Sequence, residues 1–389
     1  MTDSPSDSNV LENSESQNET LKKTLPKQVT VYIGEYPIKL LLKQPYVDAE
    51  GRTLNVLIDK SSDEIRRWLP KGFKPYLVLG FEDAHIETHF WYNVFPFVSQ
   101  DHTLTDSLKK KPTEKLSAAI IVASLWDGVG SGSLPSAISK FKALDVDSFS
   151  VAILPSKIQP ADAHFNALAA LGLTVKTDAA TLLLLDRDLL ESYKGVNRNG
   201  SPIKGNQIAD YLANLFFSKE TFVQEITEQS RAFNAKIYTP LFVTGASFNI
   251  YGSIENMLDA SLLRPLLSFD LSKVSLLYGL VRMPASMKDK LPRAKIELAI
   301  ASWIKQKTTL KSIHITEPVY VEDASDRVDI LLLVAGFEIT EILLDYEKKS
   351  KSLRSRAMQR KLVKKEDWQS MMNKLGIGKE EAASAQAPT

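Results

Sequence analysis

SLWDGVGSGSLPSA, residues 124–137, connects a continuous apolar run (AAIIVAS, 118–124) to a stretch of helical character (LPSAISKFKAL, 134–144). Gly128, Gly130 and Gly132 alternate here with Val129, Ser131 and Ser133. Glycines at a strand-to-helix turn let backbone N–H groups close around an anion, and the helix N-terminus adds partial positive charge. Ser131 and Ser133 supply hydroxyl donors for phosphate oxygens, and Pro135 suits a first helical turn, where its missing N–H costs nothing. The same spacing equally suits a tight turn that packs a helix close to a sheet, so the glycines alone leave both readings open.

Short runs rich in Val, Ile and Leu surround this stretch: VTVYI (29–33), LNVLID (54–59), PYLVLG (75–80), FSVAIL (149–154) and TLLLLD (181–186). Continuous rather than alternating apolar runs predict strands covered on both faces, as in a parallel sheet. With helix-length segments at 134–144 and 160–172 between the later runs, the order is that of a doubly wound α/β fold. From Asn206 onward, NQIADYLANLFFSKETFVQEITEQ has Ile208, Tyr211, Leu212, Leu215 and Phe216 at helical spacing. It predicts one long central helix over 206–235. Further strands are expected at 274–283, 311–321 and 326–337, with a helix at 290–307, as a smaller α+β domain over 236–345. A charged, mostly basic helix follows over 340–376.

A dinucleotide-binding domain carries its glycines after the first strand, whereas here they follow the fourth. A glycine-rich loop after strand four, then strands five and six and a long helix opening on Asn, resembles the tubulin/FtsZ superfamily. That family's loop reads GGGTGTG, and Gly128, Val129, Gly130, Ser131, Gly132, Ser133 and Leu134 align with it. The resemblance extends at low identity over residues 28–345 and is nearest to divergent archaeal members in DILLLVAGFEITEIL. It implies a Rossmann-like nucleotide domain (28–205) binding GTP or GDP with Mg2+, and longitudinal self-association or a related polymerising partner. The implied site residues are Gly128, Gly130, Ser131, Gly132 and Ser133, with Asp59 beside the nucleotide and Asn206 on the guanine edge.

The departures lie in three loops. The family's glycine-rich first loop is replaced by GEYPIK, and its third by FEDAHIETHFWYN (81–93). For the catalytic Asn-x-Asp loop the nearest string is NIYGSIENML (249–258), which keeps Asn249 but has Tyr251 and Ile254 where acids belong. Glu225 and Glu228 lie nearer the helix end without that frame. Hydrolysis needs a positioned acceptor for water and charge compensation at the γ-phosphate. The sequence assigns no residue to either, and the catalytic set is left unknown.

Composition narrows the remaining classes. Lys+Arg is 48 and Asp+Glu is 47, so the net charge of +1 gives no footprint for nucleic acid. The absence of cysteine removes thiolate chemistry and fits a reducing cytoplasm. No apolar run approaches the roughly 20 residues of a membrane span. The Ser-, Asn- and acid-rich residues 1–27 are expected to be a disordered acidic tail without a secretory signal, and 377–389 a second tail. HIETH (85–89) would share a face on a helix, but it lacks the HExxH order and a third ligand, so no metal site is assigned. His164 and His314 are expected to be structural. WYNVFPFV (91–98) reads as a hydrophobic plug, with a subunit contact as the alternative. GSGS (130–133) lacks the elbow of a serine hydrolase. The basic stretch 348–365 has few apolar positions and is expected to pack along the body rather than enter a membrane. Three functions follow: a cytoskeletal or division-related protein with weak or absent GTP hydrolysis, a nucleotide-free pseudo-GTPase scaffold, or an unrelated Rossmann-like enzyme for a phosphorylated ligand.

Overall fold

A computed structural model describes residues 27–43, 53–110, 116–203 and 207–377. The expected tails (1–27 and 377–389), apart from Lys27, which opens the first strand, and Ile377, lie outside the described residues, as does Asn206.

Six parallel strands form the first half of the sheet: β1 (Lys27–Ile33), β2 (Thr53–Ile58), β3 (Leu77–Leu79), β4 (Leu116–Ser124), β5 (Asp147–Leu154) and β6 (Leu182–Asp186). Their spatial order is β3-β2-β1-β4-β5-β6, so the winding reverses between β1 and β4. Along β1, Val29, Val31 and Ile33 face one core while Tyr32 faces the other. Both faces are therefore dry, which is why these strands read as unbroken apolar runs.

The helices divide accordingly. α1 (Glu35–Lys43), α2 (Ser62–Trp68), α8 (Ile208–Phe217) and α9 (Phe222–Phe233) cover the Tyr32 face. The other face carries α3 (Trp91–Gln100), α4 (Thr103–Lys109), α5 (Gly128–Ala143), α6 (Ala161–Lys176), α13 (Thr340–Gln359) and α14 (Lys365–Lys374). A short α7 (Arg187–Ser192) and the small β7–β8 hairpin (Gly195–Val196, Pro202–Ile203) follow β6.

The sheet continues into the second half. β9 (Ile237–Ser247) pairs in parallel with β6 through Leu182↔Ile237 and Leu183↔Tyr238. Antiparallel β13 (Arg327–Ala335) and β10 (Leu276–Pro284) come next, with β11 (Ser312–Ile315) and β12 (Val319–Val321) at the edge. After the helical turn α10 (Phe248–Tyr251), α11 (Ile254–Leu262) and α12 (Arg293–Lys305) pack on this part through Met257, Ile296 and Ile300. The seam is knitted by Asp329, fully buried on β13. Its carboxylate accepts from Tyr211 of α8 (2.9 Å), the Gly245 N–H of β9 (2.7 Å) and Arg282 Nε of β10 (2.9 Å). Arg198 of the β7–β8 turn lies 3.7 Å away and also pairs with Asp323 at 2.6 Å.

Three expectations are corrected. The single helix over 206–235 is two, α8 and α9. The polar SKET break is closed by the Ser218 hydroxyl donating to the Leu215 carbonyl (2.6 Å), and it lets Phe216 stack on Phe222 with centroids 4.7 Å apart. The basic helix over 340–376 is also two, parted near Lys361, which takes φ 58. Both pieces pack along α6, where Trp368 stacks on Phe165 at 5.3 Å. Third, the helix after β4 begins at Gly128 rather than at Leu134, so the glycines are its first turns instead of a loop before it.

Candidate functional site

In a doubly wound sheet the ligand crevice opens beyond the strand C-termini where the winding reverses. Here that is the rim above β1 and β4, and the residues after β1, β2 and β4 converge on it. β1 turns at Gly34 (φ 94), whose N–H donates to the Ile58 carbonyl at 2.9 Å. A Cβ at Gly34 would sit 2.5 Å from Ser124 Oγ, so only glycine fits. β2 is followed directly by Asp59, which is 4% exposed. One Asp59 oxygen accepts the Lys60 N–H at 2.8 Å; Oδ2 has no hydrogen-bond partner among the described residues. Burial raises its pKa to about 6 against the pull of the Lys60 N–H and charge.

β4 leaves through Trp126 and Asp127 into α5. Asp127 is the N-cap, and its carboxylate accepts the Gly130 N–H at 2.8 Å. Burial raises its pKa to about 7, with the charge of Asp59 adding to the shift. The α5 N-terminus thus meets an acceptor, and that acceptor belongs to the chain itself. The Ser131 N–H returns to the Asp127 carbonyl (3.1 Å) and its hydroxyl donates to the Leu125 carbonyl (2.9 Å).

Each glycine has a packing reason. A Cβ on Gly130 would collide with the Ser124 carbonyl of β4. Gly128 and Gly132, one turn apart, face the other way. A Cβ on Gly128 would lie 2.5 Å from the Thr88 carbonyl oxygen and 2.6 Å from the Phe90 carbonyl carbon; one on Gly132 would lie 2.7 Å from Val94 Cβ. Ser136 continues this small-residue face and bonds Ser99 of α3 at 2.8 Å. The face lets α3 and the segment before it lie directly on α5, and all of Gly128–Ser133 is buried.

That covering segment is fastened. Asn166 of α6, fully buried, accepts the Trp91 N–H (3.0 Å) and donates to the His89 carbonyl (2.9 Å). His89 also pairs with Asp162 at 2.6 Å. On the far side of Asp127, the Arg187 guanidinium lies 4.7 Å over Trp126 and 5.2 Å over Tyr36. The two rings meet edge to face at 5.2 Å. These side chains bridge the rim from β1 across to β6.

Superposition on solved structures settles the architecture. CetZ1 of Haloferax volcanii, a GDP-bound monomer, aligns at TM-score 0.67 and 16% identity over 84% of this chain and 99% of its own. The fold is that of the tubulin/FtsZ superfamily. CetZ2 of the same organism, a GTPγS-bound protofilament, aligns at 0.63 and 19% identity over 85% of this chain and 99% of its own. The FtsZ dimer of M. jannaschii gives 0.55 and 17% over 83% and 92%. No family model and no curated protein matches the chain by sequence.

The α5 N-terminus, where the fold family would seat a nucleotide's phosphates, is partly engaged by the chain itself. A phosphate needs free N–H donors, but Asp127 holds the Gly130 N–H and residues 88–90 lie on Gly128. Asp59 and Asp127 stand together at this rim, and the charge of Asp59 adds to the rise in the pKa of Asp127.

The structure therefore brings Asp59, Gly128, Gly130 and Ser131 to one rim, whereas Gly132 lies against α3, Ser133 lines a cavity beside α5, and Asn206 lies outside the described residues. His85 (φ 52) ends a 3-10 turn, so HIETH is not helical and its histidines share no helix face. WYNVFPFV forms most of α3. Glu225 is held by Tyr278 OH (2.9 Å) and His314 (3.2 Å), and Asn249 bonds Asp326 through its N–H (2.9 Å) and Lys290 through its side chain (3.2 Å). Sequence reasoning missed Asp127, Trp126, Arg187 and Asn166. Asp127 carried a signal, an acid just before a helix start; the other three did not.

Proposed function

We propose that the chain is a nucleotide-independent assembly subunit: a pseudo-GTPase scaffold of cytoskeletal type that associates head to tail with its own copies or with a related polymerising partner. The observation that carries this reading is the self-capped α5 N-terminus, with Asp127 on the Gly130 N–H and residues 88–90 lying on Gly128. The preserved fold supports assembly as the retained role, since CetZ2 and FtsZ were solved as protofilament and dimer. Ile158, 94% exposed on the loop beyond β5, stands on the rim that head-to-tail packing would cover. No helix among the described residues is long and apolar enough to cross a membrane.

The test combines thermal melting with sedimentation of the purified chain in GTP, GDP, ATP or no nucleotide, each with Mg2+. A real site at a hundredfold excess over Kd adds about 2.7 kcal/mol of stability, several degrees in Tm. The expected result is no shift with any nucleotide, sedimentation unchanged by nucleotide, and weakened association in Ile158→Lys. The second reading is guanine binding with Mg2+ between Asp59, Gly128–Ser133 and Asn206. Its support is the position at the winding reversal and the GDP-bound form of CetZ1. A guanine-specific rise in Tm, lost in Gly130→Trp, would establish that reading and overturn the scaffold.

A further inference from the structure

Beside α5 lies a cavity of about 150 Å³ between the helix, α3 and the ends of β2 and β3. Its apolar walls include Leu79, Phe81, Phe97 and Leu104, and Phe97, 36% exposed, is where the wall meets solvent. On α5, Ser133, Ala137 and Lys140 line it at the i, i+4, i+7 spacing of one helix face. Two polar groups in this lining are incompletely matched. Ser133 is fully buried and its hydroxyl has no partner among the described residues.

Lys140 is 8% exposed, and its ammonium donates to the Asp101 backbone carbonyl. No carboxylate forms an ion pair with it among the described residues. The Asp101 carboxylate is turned to the Thr103 N–H (3.3 Å) and hydroxyl (2.7 Å), and Asp106 acts on the amine only at longer range. Burial lowers the amine's pKa despite both acids, the mark of a cation short of counter-charge.

We propose that this cavity binds a compact monocarboxylate with an apolar body, of benzoate size, its carboxylate pairing with Lys140 and accepting the Ser133 hydroxyl. A cavity of about 150 Å³ with aliphatic and aromatic walls takes a benzene-sized guest. The apolar walls exclude dicarboxylates and phosphate esters, which would leave charge unpaired against them. A neutral analogue fills the volume without supplying counter-charge, and an amine repels Lys140. The ligand would tie α5 to the ends of β2 and β3.

The test titrates benzoate, benzyl alcohol and benzylamine into the full chain by calorimetry and thermal melting at neutral pH. Benzoate is expected to bind with Kd on the order of 1 mM, ahead of benzyl alcohol, with benzylamine weakest. Lys140→Met, which keeps the aliphatic stem, should weaken benzoate about tenfold or more and leave benzyl alcohol unchanged. Ser133→Ala, a smaller perturbation, should weaken benzoate severalfold and keeps the test open should the lysine variant fold poorly. No benzoate binding to the native chain, a native preference for benzyl alcohol or benzylamine, or equal benzoate affinity in the lysine variant would overturn the proposal.

Discussion

Asp127 and Asp59 are two carboxylates drawn from water on one strand rim, with pKa values raised to about 7 and about 6. A raised carboxylate pKa means that the folded state holds protons the unfolded chain has released. The pair therefore makes its full contribution at about pH 4 and below, and that contribution is lost as pH rises through about 6 and 7. Asp127→Asn keeps an N-cap acceptor and removes the ionisable group. Its Tm should fall less steeply than the native chain's between pH 5 and 8, a difference on the order of 1–3 kcal/mol in urea titrations at the two pH values. Equal slopes for the two proteins would show that Asp127 ionises normally. The glycines were legible in sequence as points of close approach, because only a missing Cβ explains three in alternation. What approached them was not legible: an anion and a helix backbone demand the same absence.

At the scale of elements, the α3–α5 contact rests on Gly132, where a Cβ would lie 2.7 Å from Val94 Cβ and 2.8 Å from the Phe95 nitrogen. Gly132→Ala adds helix propensity worth about 1 kcal/mol but forces the backbones apart, and overpacking of this kind costs about 1–3 kcal/mol. The net expectation is destabilisation with faster amide exchange confined to residues 88–100; stabilisation by the alanine would mean that the helices do not touch there. The strands were readable because burial on both faces leaves runs of Val, Ile and Leu. The break between α8 and α9 was not, because Leu215, Phe216, Phe222 and Ile226 are all buried and keep a nearly helical spacing across it. Only the four polar residues between them differ, and their effect depends on Phe149, against which Phe216 and Phe222 pack at 5.4 and 5.1 Å.

For the molecule as a whole, one sheet runs through both halves, and Asp329 gathers α8, β9, β10 and the β7–β8 turn around a single buried carboxylate. Asp329→Asn would leave Arg282 without its buried counter-charge, while Arg198 keeps Asp323, and breaking such a buried pair costs about 3–5 kcal/mol. A drop of that size in urea-denaturation stability is expected, and a loss below about 1 kcal/mol would place the network at the level of a surface ion pair. The covered α5 N-terminus has a consequence of another kind. Asp127, the Gly128–Gly132 face, the segment at 88–90 and the Asn166 clamp each satisfy a group that another of them buries. Withdrawing any one strands a polar atom or opens a void, at about 1–3 kcal/mol a step. Reopening the rim one substitution at a time would therefore pass through weakened intermediates, so the closure behaves as a ratchet.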